Sequence, residues 1–388
     1  MSLNTILPFI SSKILPLIFS IIGFGLLILV HELGHFFFCK AFSIHTPTFS
    51  IGFGSKIIER KIGATNFRIS AIPLGGYVEI AGLSEIGQGE QESAQITGEN
   101  SFNEKPFWQK FLVLSGGILF NLIFAYFVFC CVFIVGEPNK KQIITIAHIV
   151  KGSPAEKAGL KEKDEVLRIQ DVSLIPDSEK TITTSSAQAT FLQIIRDNPT
   201  KPINLIILRE NKEIKISVVP ESTQENNLTV GKIGVFPVIP MPRLSIFQAA
   251  TQSFWTTLDW ITKITDGIKH MFQSKSLEGA GGPVRIFEQG FRFAQNGIIA
   301  FLLFLAIISV SLAVFNLLPL GITDGGQLLL TTIEAIIRRP IPEYIRLAIN
   351  VISLILFAFL FIYLTYKDTV QIFGKTFMNI YKKIIHLF

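Results

Sequence analysis

Four long stretches of this chain carry no Asp, Glu, Lys or Arg: Ile14–Val30, Phe111–Val135, Phe293–Thr323 and Leu347–Tyr366. About 20 such residues cross a bilayer core as a helix, the one open-chain form that satisfies every backbone hydrogen bond internally. The expected fold class is a polytopic α-helical membrane protein with about four transmembrane helices. Composition agrees, with 16% charged residues against 49% hydrophobic, where soluble domains carry about 25% charged. Lys13 followed by an apolar run imitates a secretory leader, but no small-x-small cleavage site follows it. The run continues into HELGHFFF, so Ile14–Cys39 reads as an uncleaved span. Cys39, Cys130 and Cys131 all lie in or beside apolar runs, which excludes a disulfide framework and a CxxC zinc site. A net charge of +6 fits a cationic juxtamembrane surface better than a nucleic-acid partner.

Residues 137–242 change to alternating, charged sequence. In Gly152–Leu160, Ser153 reads as an N-cap, Pro154 as the first helical residue, Glu156 as the closer of a capping box and Gly159 as a left-handed stop. A strand at Val166–Ile169, a turn at Gln170-Asp171 and helical spacing over 186–197 follow. Ile203–Leu208 is expected to pair with Ile214–Val219 across residues 210–213. The order, and above all GSPAEKAGLKEKDEVLRIQDV, resembles a PDZ domain. That resemblance implies an inserted α+β domain that binds extended peptide ends by strand addition; the alternative is a folded spacer without a ligand. Segment 244–272, with Phe247, Phe254, Trp255, Leu258 and Trp260 among polar residues, reads as an amphipathic surface helix. The expected divisions are 1–136, 137–242, 243–292 and 293–388.

His31 and His35 are four residues apart, so on a helix they share one face and can share one metal ion. Glu32 is adjacent and suited to act as a general base toward water activated by zinc. Two structural histidines are the plainer alternative, yet an ionisable cluster inside a span needs a compensating partner. A third protein ligand would leave one position open for water. The candidates are Asp324, Glu278, Glu334, His45, His148, His270 and His386. Span parity favours Asp324: span 3 runs parallel to span 1, HELGH lies late in the first, and Asp324 follows the apolar run of the third. His148 and His270 fall on the opposite side, and His45 and His386 sit in segments without a second polar partner.

The same parity puts 137–242 on the face away from the metal. Short segments on the metal side carry Lys40, Lys56, Arg60, Lys61, Arg68, Lys105, Arg338, Arg339 and Arg346, whereas the opposite termini carry Lys13, Lys367, Lys375, Lys382 and Lys383. The positive-inside rule then sets the metal near the cytoplasmic face and the PDZ-like domain on the opposite face.

HELGH in a first span, a PDZ-like insert, and Asn316-Leu317-Leu318-Pro319-Leu320-Gly321-Ile322-Thr323-Asp324-Gly325-Gly326 resemble the site-2 protease family, in particular its bacterial regulator-of-sigma-E branch of intramembrane zinc proteases. Pro73–Val78 and Gly282-Pro283 support the resemblance. It implies His31, His35 and Asp324 as zinc ligands and Glu32 as catalytic base. It implies a re-entrant β-hairpin whose Gly75, Gly76, Tyr77 and Val78 pair with unwound substrate, with Asn316, Pro319 and Asn121 as further substrate contacts. Implied substrates are single-span membrane proteins already cut by another protease, of the anti-sigma-factor and signal-peptide-remnant kind. Thr323 departs from the large aliphatic residue usual before the Asp, and Gly321 is also unusual. Plainer readings exist: Gly75-Gly76 as a tight turn, Asn121 and Asn316 as interhelical hydrogen bonders, Gly116-Gly117 as a packing site. The rival functions are a non-catalytic scaffold with structural zinc, which has no use for Glu32, and a metal transporter, which would want polar residues along several spans.

Overall fold

The computed structural model describes residues 14–83, 98–136, 143–174, 184–225, 228–238, 243–274, 277 and 280–385. In chain order these form α1 (Leu15–Ala41), β1 (Thr48–Ile62), β2 (Thr65–Val78), α2 (Phe107–Val135), β3 (Ile144–Ile149), α3 (Pro154–Lys157), β4 (Glu165–Ile169), β5 (Val172–Ser173) and α4 (Thr184–Asp197). They continue with β6 (Ile203–Arg209), β7 (Lys212–Val218), β8 (Glu221–Glu225), β9 (Leu228–Lys232), β10 (Val235–Val238), α5 (Ile246–Ser274), α6 (Pro283–Gln295), α7 (Ile298–Asn316), α8 (Asp324–Ile337) and α9 (Glu343–Ile385). The chain divides into two compact units, residues 1–132 with 251–388, and residues 133–250.

In the first unit, α1, α2, α7 and the Glu343–Gln371 part of α9 are long and apolar enough to cross a membrane. The third apolar run is shorter as a helix than as a sequence. Gly297 (φ 106°) separates α6 from α7, and α7 stops at Asn316 because Pro319 cannot continue it. Asp324 therefore opens a helix of its own. Where α1 crosses α2 the backbones touch: a Cβ on Gly34 would stand 2.1 Å from the Gly116 carbonyl oxygen. Small residues allow such an approach, and dispersion over the contact then holds spans together in a solvent as apolar as they are. Leu27 of α1 packs with Phe301, Phe304 and Leu305 of α7 on the other side.

The strands β1 and β2 form a bulged hairpin closed by Ile62 opposite Thr65. Lys56 and Arg68 both hydrogen-bond Glu59 near its tip and hold that carboxyl below the usual carboxylate range. At the base, Phe49, Ser50 and Ile51 face two stretches of β2, Phe67–Ile69 on one side and Gly76–Val78 on the other. The glycines flanking Phe53 adopt φ of 92° and 85°, so its ring stacks on Tyr77 at 9° and fills the place a Gly75 side chain would need.

In the second unit a twisted sheet runs β10-β3-β4-β6-β7, with β5 on β4 and a separate β8–β9 pair. Ile144, Ile146, Val166, Ile169, Leu205 and Ile207 bury one sheet face under Ala187, Phe191 and Ile195, the i, i+4, i+8 stripe of α4. Each such large side chain contributes about 1.5–3 kcal/mol by leaving water. The expected strands and helix are present. The β6–β7 turn is tighter than expected: Arg209 faces Lys212, and Glu210-Asn211 make it with φ of 50° and 62°. Ser153 caps α3 as read, while the Glu156 carboxylate reaches back to the Gly152 amide, one residue beyond a standard capping box.

Candidate metal centre

Helical spacing on α1 sets the two imidazoles one above the other, with Nε2 atoms 3.3 Å apart. Asp324, the first residue of α8, brings Oδ2 to 3.3 Å from His31 Nε2 and 3.5 Å from His35 Nε2. Among the described residues this is the one cluster of three or more His, Cys, Asp or Glu side chains whose ligand atoms converge, all within 4.8 Å. Asp324 Oδ2 is buried and makes no hydrogen bond. A buried carboxylate oxygen between two ring nitrogens, left without a hydrogen bond, fits a divalent cation. The donor set, two imidazoles and a carboxylate, is that of an open zinc site.

Local sequence fixes Asp324 closely. Thr323 is the N-cap of α8: its hydroxyl donates to the Leu318 and Leu320 carbonyls and accepts from the Gly326 amide. Asp324 thus sits in the first turn, where the helix dipole favours a negative charge. A Cβ on Gly325 or Gly326 would run into the Leu317 or Leu320 carbonyl, so the two glycines let α8 fold back on the segment it leaves. Thr323, the departure noted in sequence, acts as a cap.

His31, Glu32 and His35 open on a cavity of about 240 Å³ lined also by Phe53, Gly76, Val78, Asn316, Gln327 and Asn350. The Val78 amide donates to the Glu32 carboxylate. A model of peptidase family M50 matches residues 19–360.

The chain belongs to peptidase family M50.

It is 30% identical over 375 residues to a Campylobacter jejuni protein named as a zinc metalloprotease, covering 92% of this chain and 94% of that one. An Enterococcus faecalis protein named as a protease is 27% identical over 91% of this chain and 98% of its own. The Escherichia coli regulator of sigma-E protease is 27% identical over 84% and 92%.

Several residues of this M50 peptidase lie elsewhere than sequence suggested. Gly76 and Val78 line the cavity, whereas Gly75 and Tyr77 turn to the Phe53 side because strand neighbours alternate faces. Asn316 lines the cavity, while Pro319 is exposed on the α7–α8 connection. Asn121 is fully buried, with its side-chain amide 3.1 Å from His31 Nδ1, and is not among the residues that line the cavity. Glu334 is engaged by Arg346 and the Ile341 amide, His148 pairs with Glu162 in the other unit, and Glu278 and His386 lie outside the described residues. Sequence reasoning missed Gln327, Asn350 and Phe53. A polar Asn in the fourth apolar run was the available signal for Asn350.

Proposed function

We propose that His31, His35 and Asp324 hold the zinc ion of this zinc metalloendopeptidase, and that Glu32 is the general base for cutting a peptide bond within or beside a substrate's transmembrane segment. The observation that carries this reading is the convergence of the three ligand atoms beside Glu32 on a cavity wall inside a membrane-spanning helix. When bound, zinc supplies a Lewis acid for the scissile carbonyl and brings the acidity of water near neutrality. Glu32 takes a proton from the attacking water and passes it to the amine nitrogen as the C–N bond breaks, leaving a carboxylate and an amine.

A substrate helix in lipid has its carbonyls engaged and must unwind before attack. Gly76–Val78 has one edge paired with Phe49–Ile51 and lines the cavity, so its other edge offers an unwound segment a strand to pair with. Substrates are single-span membrane proteins shortened by an earlier cut, of the anti-sigma-factor and signal-peptide-remnant kind. Span parity and the Lys/Arg distribution favour a metal site near the cytoplasmic face of an inner membrane, with 137–242 outside. That domain serves as a PDZ-like module, and exposed Phe247, Phe254, Trp255 and Leu258 on α5 suit a helix lying at the membrane surface.

A tagged single-span substrate with a short ectodomain, incubated in membranes carrying wild type or Glu32→Gln, tests the assignment when zinc content is measured alongside. Cleavage is expected to vanish with zinc retained. Undiminished cleavage by Glu32→Gln would overturn the role of Glu32, and full zinc content in His31→Ala would overturn the ligand set.

A further inference from the structure

The two imidazoles are held from behind by different means. His35 Nδ1 lies 2.8 Å from the Val113 carbonyl oxygen, which can only accept. Nδ1 therefore carries the hydrogen, and Nε2 turns its lone pair toward Asp324. His31 Nδ1 has the Asn121 side-chain amide at 3.1 Å instead. Asn121 is fully buried, and its backbone carbonyl is fixed by the Ser309 hydroxyl of α7 at 2.8 Å.

With the amide nitrogen toward Nδ1, that nitrogen donates, so His31 Nε2 carries the hydrogen and is closed to a metal. Asn121 Oδ1 is meanwhile buried without a hydrogen-bond partner. A half-turn of the amide exchanges the two ends in the same space. It breaks no bond that Oδ1 makes, and it gives Oδ1 a donor in Nδ1–H. His31 Nε2 is then free to ligate.

We propose that Asn121 is a positioning residue for the metal centre: its side-chain carbonyl accepts from His31 Nδ1–H and holds His31 in the tautomer that binds zinc through Nε2. The inference rests on His31 being a zinc ligand. It gives span 2 a part in the site that goes beyond packing. Main chain holds Nδ1 of His35, whereas Nδ1 of His31 faces a side chain that mutation can change. Groups behind metal-bound histidines typically change affinity about 10- to 100-fold when removed.

The test is zinc affinity of the purified full chain in detergent, by competition with a chelator, with the unfolding temperature of each metal-free form. Asn121→Leu, of similar size and unable to accept, is expected to bind zinc about 10- to 100-fold more weakly with little change in unfolding temperature. Asn121→Asp, which accepts but cannot donate, is expected to stay close to wild type. Wild-type affinity in Asn121→Leu, or an Asp variant as weak as the Leu variant, overturns the proposal. If Asn121→Leu does not accumulate, Asn121→Ala against Asn121→Asp makes the same comparison. His31→Ala separates the two levels: unchanged zinc there removes the ligand assignment itself, whereas lost zinc there with wild-type binding in Asn121→Leu removes only the role of Asn121.

Discussion

Gly117 on α2 lies flat against His31: a Cβ there would stand 2.4 Å from His31 Cε1 and 2.5 Å from His35 Nε2. The glycine is a requirement of the imidazole pair, which nothing in the spacing of Gly116-Gly117 shows. Overpacking of this kind costs about 1–3 kcal/mol. Gly117→Ala is therefore expected to lower zinc occupancy about tenfold and cleavage in parallel. Gly116→Ala presses on the Gly34 backbone instead, so it should lower the unfolding temperature of the metal-free protein more than Gly117→Ala does. Equal zinc affinity for Gly117→Ala and wild type would contradict the packing argument.

Gly76 is confined from two sides. A Cβ there would sit 2.8 Å from the Ser50 carbonyl oxygen, 3.2 Å from Ile28 Cγ2 and 3.4 Å from Glu32 Cγ. The strand must then shift away from α1 or push Glu32 aside. Displacements approaching 1 Å near reacting groups cost up to about 100-fold in rate. Gly76→Ala is expected to keep its zinc while losing cleavage by about tenfold to 100-fold, read from initial rates and metal content of one preparation.

Apolar period and length made the four spans and HELGH legible, because lipid solvent leaves few alternatives for such sequence. Chain-local chemistry made α3 and the β6–β7 hairpin legible in the same way. Placement across elements was not. Asn121 reads as a substrate contact by resemblance, with a helix joiner as the alternative, until α2 is seen against His31. A motif has no faces, whereas a strand has two, so sequence does not part Gly75 and Tyr77 from Gly76 and Val78. The early end of α7 followed from Pro319, a signal that hydropathy alone overrides. Gln327 entered the site only because α8 folds back through Gly325 and Gly326.

Gly321, the second departure from the family pattern, has its explanation on α9. A Cβ at Gly321 would meet Asn350 Oδ1 at 2.7 Å and Asn350 Cα at 3.0 Å. Gln327 donates to both the Gly321 carbonyl and Asn350 Oδ1, and the Ser353 hydroxyl accepts from the Gly321 amide. The segment before Asp324 is thus tied to the last span. Gly321→Ala is expected to destabilise the protein by about 1–3 kcal/mol. Asn350→Ala removes one of the two clashing groups, so the double variant should be less destabilised than the sum of the singles. Strict additivity in thermal unfolding would show that the two positions do not share this contact.

Asp164 anchors the second unit. Its carboxylate is 1% exposed and takes two hydrogen bonds from Arg209, at 2.7 and 2.8 Å, and one from the Lys161 amide. Arg209 also donates to the Gly159 carbonyl, so one guanidinium joins β6, the end of α3 and the start of β4. Arg209→Met would leave a buried carboxylate with a single donor. Removing one partner of a buried pair costs about 3–5 kcal/mol, and the 22% exposure of Arg209 puts the expected loss near the lower end. Hydrogen exchange of β4 and β6 amides should accelerate accordingly, with zinc content unchanged because the ligands belong to the other unit. Cleavage then separates two roles for this domain. Unchanged rates on short-ectodomain substrates together with new cleavage of bulky ones would make it a filter, and a uniform fall would make it a requirement for engagement.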